Sequence, residues 1–316
     1  MKTFFSVLIR LIITALILVV LFLKINFTQV FSTIKSCNLS LFTIAFLLFI
    51  CLYFLGLWRW QMLLFSLKLH PPFKKIISAF SGGLFFNLFL PSTIGGDVAR
   101  IYSLLSHTGE GGKVAATVIV DRLSGFLALT FISILSIIVG GRLIQSKSVI
   151  IIVVAIALTF TIITLLMFSR RTSKAFSSVF KFFHLERIEN IWKRIFDALS
   201  LFRGNKMLLF KNFLISLIIQ GSNVLAIYLI ALSLGVKTGL IYFFIIVPII
   251  AVISTLPITI GGLGLRDASS VLFFSKIGIS SNIAFSISLI SFFFVTFVGI
   301  AGGIIYAFSL HSRRLR

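Results

Sequence analysis

The sequence predicts an all-α integral membrane protein of about six full spans plus two oppositely oriented re-entrant helical hairpins in an inverted repeat. Three observations lead there. Apolar runs of about 20 residues recur along the 316 residues, each long enough to cross ~30 Å of hydrocarbon. Hydrophobic residues make up 59% of the chain and charged ones only 11%, too few to cover a soluble core. A broken motif also occurs twice, at residues 90–100 and 256–266, each inside an apolar segment.

Span 1 covers about 4–23, with Lys2 and Arg10 near its start. It resembles a signal peptide, but no small-x-small cleavage site follows, so it reads as an uncleaved anchor. Span 2 covers about 40–63. The segment 76–105 is apolar but broken at Leu90-Pro91-Ser92-Thr93-Ile94-Gly95-Gly96. Spans 3 and 4 cover 114–139 and 148–168, and span 5 covers 212–234. A second broken segment, 240–276, is interrupted at Leu256-Pro257-Ile258-Thr259-Ile260-Gly261-Gly262. Span 6 covers 282–309. The whole forms a single polytopic domain, with repeat A at about 40–140 and repeat B at about 212–309.

Charge sets the topology. Lys and Arg number 29 against 7 Asp and Glu, and they sit between apolar runs rather than on a basic face, which argues against nucleic acid as a partner. The connector 169–211 holds ten Lys/Arg and three acids, so it belongs on the cytoplasmic side, as does the tail with Arg313, Arg314 and Arg316. Both conditions hold if each broken segment enters and returns to the same side. Two complete crossings per segment give the same parity. With hairpins, both termini are cytoplasmic, and the second triplet of elements is the first turned upside down, the plan of many secondary transporters. Within the connector, Phe176, Val179, Phe180, Phe183, Ile188, Ile191, Trp192, Ile195 and Leu199 fall at helical spacing among basic residues. Amphipathic helices on the cytoplasmic interface fit this pattern, and so does a plain connector shielding its apolar side.

The repeats read Leu-Pro-Ser-Thr-Ile-Gly-Gly-Asp-Val-Ala-Arg and Leu-Pro-Ile-Thr-Ile-Gly-Gly-Leu-Gly-Leu-Arg, and seven of eleven positions match. Pro91 and Pro257 remove a backbone donor and end the first limb of each hairpin. Gly95-Gly96 and Gly261-Gly262 allow a tight turn with exposed N–H groups, after which a new half-helix presents its positive end. Arg100 and Arg266 follow about one turn later. Two opposed hairpins then aim two positive ends and two arginines at one central place, suited to a lipid phosphate. Close helix packing by the glycines, with snorkelling arginines, is the competing reading.

Asp97, Asp121 and Asp267 are the acids expected at membrane depth, where charges are costly and face a cavity or a partner. Pairing of Asp97 with Arg122, or of Asp121 with Arg100, holds the arginines neutralised until an anionic guest competes. Fixed structural ion pairs are the alternative, and Asp97 also suits a helix cap. Arg59, in Trp58-Arg59-Trp60, reads mainly as a snorkelling residue in an aromatic belt, with receipt of a lipid headgroup as the other reading. The histidines His70, His107, His184 and His311 show no metal-ligand spacing, and Cys37 and Cys51 are too far apart along a helix for a disulfide, so neither a metal nor a cofactor is expected.

Phe86-Asn87-Leu88-Phe89-Leu90-Pro91-Ser92 with Gly95-Gly96-Asp97-Val98-Ala99-Arg100, then Val120-Asp121-Arg122-Leu123-Ser124-Gly125, then Pro257 with Gly261-Gly262-Leu263-Gly264-Leu265-Arg266-Asp267, resemble the flippase-like transmembrane domain of the lysylphosphatidylglycerol synthase family. The similarity covers nearly the whole chain. One departure is Asp267, where the family usually carries Glu. The resemblance implies a multi-pass domain of a bacterial or archaeal cytoplasmic membrane that moves a charged phospholipid, or an isoprenoid-linked lipid, between leaflets. Only Leu310 to Arg316 follow span 6, so synthesis of the lipid by an appended domain is not expected, and the chain reads as no enzyme. The candidate substrate-binding residues are Gly95, Gly96, Asp97, Arg100, Asp121, Arg122, Gly261, Gly262, Arg266 and Asp267. The expected partners are membrane lipids with anionic headgroups. A small-anion secondary transporter stays open as a reading, as does a non-transporting subunit that docks a lipid-modifying enzyme. Homo-oligomerisation stays open too.

Overall fold

The computed structural model describes residues 2–90, 93–140, 186–255 and 258–314, with scattered helical residues between 151 and 166. The bounded helices, numbered in chain order, are α1 (Lys2–Lys24), α2 (Phe27–Lys35), α3 (Leu39–Ser66), α4 (Phe73–Phe89), α5 (Thr93–Thr108), α6 (Gly111–Gly140), α7 (Glu186–Arg203), α8 (Lys206–Ser233), α9 (Leu240–Thr255), α10 (Leu265–Ser275) and α11 (Ser281–Arg314). Pro91 and Pro257, most of span 4 and the connector up to residue 185 lie outside the described residues.

Among the described residues, four helices are long and apolar enough to cross a membrane: α3, α6, α8 and α11, each of which carries long runs without charge. They correspond to spans 2, 3, 5 and 6. The helix α2 is an addition. Its nine residues are too few to span, and Asn26 starts it by accepting a hydrogen bond from the Gln29 N–H. Asn38 and Asn205 begin α3 and α8 in the same way, through the N–H groups of Leu41 and Leu208.

Each broken segment folds back on itself. In the first, Gly83 of α4 faces Arg100 and Gly96 of α5, and Asn87 bonds Gly96, so contacts pair residues equally spaced about positions 91 and 92. In the second, Gly262 lies against Ser254. The two tips meet, since Gly261 approaches the carbonyl oxygens of Leu88 and Asn87.

Packing directions follow from named contacts. Ser233 at the end of α8 accepts from the Asn38 N–H at the start of α3, and Arg59 near the end of α3 donates to Ser216 near the start of α8. These two helices are therefore antiparallel. Helix α4 runs antiparallel to α11, with Leu88 beside Gly299, Phe85 beside Gly303 and Lys75 beside Ser309. The matching contact in the other half is α9 against α6. Exchanging the halves thus maps α3 on α8 and swaps the pair α4–α11 with the pair α6–α9.

Among the described residues, a small apolar cluster joins Leu21, Ile25 and Val30 to Phe285, and two larger ones fill the bundle. One surrounds Phe243, Phe274 and Phe294; the other surrounds Trp60, Leu63, Leu104 and Val118 and takes in Leu199 and Phe202 of α7. Helix α7 therefore buries its apolar stripe against the start of α6, where Gly112 touches Arg194. This end of the bundle also holds Lys68, Lys74, Lys75, Lys113, Lys193, Arg203 and Lys206. Lys24, Lys35, Lys237 and Lys276 flank the opposite helix ends.

Candidate functional site

The two hairpins use the repeated motif differently. In the first, α5 already begins at Thr93, so Gly95 and Gly96 lie inside the helix rather than at the turn. Gly96 works by close approach: a Cβ there would collide with the Gly83 carbonyl oxygen and the Asn87 amide. The Gly96 N–H, expected to be open to an anion, is accepted by Asn87 Oδ1 at 3.1 Å. In the second hairpin Gly261 and Gly262 have φ of 58° and 73°, left-handed values that suit glycine, and they form a single 3₁₀ turn. Helix α10 starts only at Leu265, and its cap is Asp267, whose Oδ2 accepts the Gly264 N–H at 3.0 Å. The helix-capping role suited to Asp97 thus belongs to Asp267.

Asp97 and Arg100 sit three residues apart on the inward face of α5, opposite Asp121 and Arg122 of α6. Arg122 holds Asp97 through Nε at 2.8 Å and a second nitrogen at 3.1 Å, a two-pronged pair. Asp121 lies 2.8 Å from Arg59 Nε, an ion-pair distance but out of line for a hydrogen bond. Arg59 also donates to Ser216 Oγ of α8 at 2.7 Å, so this residue links α3, α6 and α8.

Arg100 is held more loosely than its neighbours. Its nearest carboxylate oxygens are on Asp121 at 3.4 Å and Asp97 at 3.6 Å, and its buried Nε has no hydrogen-bond partner. The guanidinium carbon lies 4.1 Å from the centre of the Trp60 ring and 4.8 Å from that of Phe80, a stacked cation–π setting. Asp97, Arg100, Asp121 and Arg59 are all buried, while the Arg122 side chain is one-third exposed. Three guanidiniums face two carboxylates, which leaves one positive charge unmatched. Burial makes such a charge costly unless an anion joins it. The cluster lines a cavity of 310 Å³, closed on its other walls by Asn87 of α4, Phe126 and Leu129 of α6, Gln220 of α8 and Ala251 of α9.

Arg266 lines a different cavity, of 170 Å³, with Asn223, Ser254, Ser270, Ser288 and Ser291. The structure therefore does not bring Arg100 and Arg266 to one place. Arg266 donates to Asp267 Oδ1 at 3.0 Å and to Ser288 Oγ at 3.1 Å, and Ser288 donates to the same Oδ1 at 2.6 Å. Its charge is matched. The motifs align at an offset of 166 residues, and that offset sets Arg122 against Ser288. In the first half this position supplies Arg122, which pairs with Asp97; in the second it supplies Ser288, which bonds Arg266 and Asp267.

Arg59 is the participant that the sequence reading weighed but left out of the candidate residues. Trp58 and Trp60 on either side suggested an interfacial belt, yet Trp58 is exposed and Trp60 is wholly buried. Ser216 and Ser288 carried no signal, since a serine in an apolar run most often bonds back to its own helix. Among the described residues no group of three metal-binding side chains occurs.

Comparison with known proteins places this geometry in a lineage. The family profile described as lysylphosphatidylglycerol synthase TM region matches residues 7–303. A UPF0104 membrane protein of Pyrococcus horikoshii is 28% identical over 272 residues, covering 76% of this chain and 79% of the relative. Two UPF0104 membrane proteins of Methanothermobacter thermautotrophicus are 25% and 27% identical, over 80% and 77% of this chain and 80% and 78% of their own lengths.

Proposed function

The chain belongs to the lysylphosphatidylglycerol synthase TM region family, and from that premise we propose that it is a lipid translocase that moves an anionic phospholipid, or an isoprenoid-linked lipid phosphate, between leaflets. The observation that carries the reading is the surplus positive charge of the cluster in the 310 Å³ cavity, with Arg100 its most loosely paired member. A phosphate brings the missing negative charge and several acceptor oxygens to a site already walled by fixed donors. Arg59 and Arg122 each keep a carboxylate at 2.8 Å, so a guest adds to the loosely held Arg100 rather than breaking a short pair.

The two helix-turn-helix segments act as re-entrant hairpins whose tips meet at mid-membrane. At ~1.5 Å per residue, the 16 residues of α9 reach ~24 Å and the 11 of α10 only ~16 Å, short of the ~30 Å core. The end of the bundle rich in Lys and Arg faces the cytoplasm, following the bias of cytoplasmic loops. In this reading Gly95, Gly96, Asp97, Arg100, Asp121 and Arg122 build the headgroup site. Gly261, Gly262, Arg266 and Asp267 build its counterpart in the second half, with lower charge. Rocking of the halves then alternates access.

The test is scrambling in liposomes. Purified protein is reconstituted with a fluorescent phosphatidylglycerol in both leaflets, and dithionite quenches the outer one. Wild type is expected to quench well beyond half. Arg100→Ala is expected to slow this at least tenfold, on the scale of one lost charge-assisted contact of about 1.5–3 kcal/mol. Quenching that stops near half for wild type with phosphatidylglycerol and with an isoprenoid-linked phosphate would sink the proposal.

A further inference from the structure

Outside the charge cluster, a second cavity of 310 Å³ opens at the basic end of the bundle, between α4, α5 and α11. It shares no lining residue with the Arg100 cavity. Lys75 reaches it from the first turn of α4, with Nζ 3.5 Å from Ser309 Oγ of α11. Ser103 of α5 donates to the Tyr306 hydroxyl of α11 at 3.4 Å across its wall. Ser78, buried on α4, and His107, at the end of α5, complete the polar lining, and no carboxylate contributes to it. Among the described residues the lining therefore brings together a lysine and a ring of hydroxyls, which serve equally as donors to phosphate oxygens and as partners of polyol hydroxyls. Its volume corresponds to about ten waters at ~30 Å³ each, room for a glycerophosphate-sized group.

One wall continues into an apolar track. Val98, Tyr102 and Leu105 lie at positions i, i+4 and i+7 of α5, all exposed, with Tyr102 and Leu105 at 75% and 38%. Leu105 and Tyr102 also line the cavity mouth. A headgroup seated among Lys75, Ser103 and Tyr306 would leave an acyl chain lying along this stripe.

We infer that this cavity is a second, separate binding site for the phosphate-bearing headgroup of a phospholipid, held between Lys75 of α4 and the hydroxyls of Ser103 and Tyr306, with its chain on the Val98–Tyr102–Leu105 face. The site is independent of the translocation reading, and its occupant bridges the first hairpin to α11.

The experiment counts phosphatidylglycerol adducts on the purified full chain by native mass spectrometry, in the Arg100→Ala background so that the other cavity contributes least. Calorimetry with glycerol 3-phosphate is the soluble arm. Lys75→Gln removes the charge and Ser103→Leu fills the cavity; each is expected to weaken lipid retention at least about tenfold. Tyr102→Ser, on the exposed track, is expected to weaken the lipid and leave glycerol 3-phosphate unchanged. Binding of glycerol 3-phosphate that is lost in Lys75→Gln, with lipid adducts indifferent to Lys75→Gln, Ser103→Leu and Tyr102→Ser, overturns the lipid assignment in favour of a free phosphate ligand. Equal binding by wild type, Lys75→Gln and Ser103→Leu in both arms removes the site altogether. A melting temperature kept near that of the parent confirms that each variant is folded.

Discussion

At the scale of single residues, the cluster separates structural from functional arginines by simple counting. Arg59 serves Asp121 and Arg122 serves Asp97, both at 2.8 Å, and Arg100 is the charge left over. Removing it leaves Asp121 its Arg59 ion pair, although Asp121 Oδ2 loses the hydrogen bonds that Arg100 donates at 3.4 and 3.5 Å. Arg100→Gln, whose amide still donates, is therefore expected to melt less far below wild type than loss of Arg59 or Arg122, while losing lipid scrambling. Arg59→Met and Arg122→Met each leave a buried carboxylate with only the looser Arg100, and a broken buried pair costs about 3–5 kcal/mol. They are expected to melt well below wild type, and pairing Arg59→Met with Asp121→Asn should recover much of the loss. The cycle of thermal melts in detergent measures this: a coupling near zero between positions 59 and 121 would show that the short contact holds nothing. The sequence made the Asp97–Arg122 and Asp121–Arg100 pairings visible, because charges at that depth have few alternatives to one another. It could not reveal Arg59, whose two tryptophan neighbours are equally good signs of a membrane interface.

At the scale of elements, the repeated motif shows why identical residues do not dictate identical backbones. Gly95-Gly96 and Gly261-Gly262 match in sequence, yet the first pair is helical and the second turns with positive φ. The next residues decide it. Hairpin one continues with Asp97-Val98-Ala99, which extends a helix. Hairpin two continues with Leu263-Gly264, and Gly264 at φ 76° delays the helix until Leu265, where Asp267 caps it. A physical consequence separates the two glycines of the first pair. A Cβ on Gly96 meets the Gly83 backbone and has nowhere to go, whereas a Cβ on Gly95 meets only the Leu90 side chain. Gly96→Ala is expected to prise α5 from α4 and lower the melting temperature sharply, in line with overpacking costs of about 1–3 kcal/mol. Gly95→Ala is expected to cost less, because it displaces only the last residue of the first limb, Leu90, whose Cβ at 2.7 Å must shift, and leaves the contact between the α4 and α5 backbones in place. Similar melts for the two alanine variants would show that the approach of α4 to α5 is not set by Gly96. The same close approach explains why the expected anion-attracting helix start is closed here: once α4 and α5 touch, Asn87 is near enough to take the Gly96 N–H for itself.

At the scale of the whole molecule, symmetry and its breaking do different work. The exchange of α3 with α8, and of the α4–α11 contact with α9–α6, makes the two halves run in opposite directions. The parity of the loop charges leads to the same expectation, since it governs which helix ends share a side. The packing of α7 on α6 was not legible in this way, because an amphipathic stripe fits an apolar protein groove and a lipid surface equally well. Inverted halves alone would give two equivalent sites, but the second half has Ser288 where the first has Arg122, and its Arg266 is already paired. Under the proposed function, a headgroup phosphate would meet the surplus charge on one side of the tip contact and a hydroxyl-lined cavity with a paired arginine on the other. Bound deeply at both, it would stall; bound weakly at both, it would not enter. The graded pair allows entry and exit. Restoring charge to the second half tests this directly. Ser288→Arg places a guanidinium beside Arg266 and Asp267, two cations on one carboxylate, the imbalance found in the first half. It is expected to retain anionic lipid more tightly in native mass spectra and to scramble it more slowly. Faster scrambling would mean that exit from the second cavity is not limited by charge, and that the asymmetry between the halves has another physical origin.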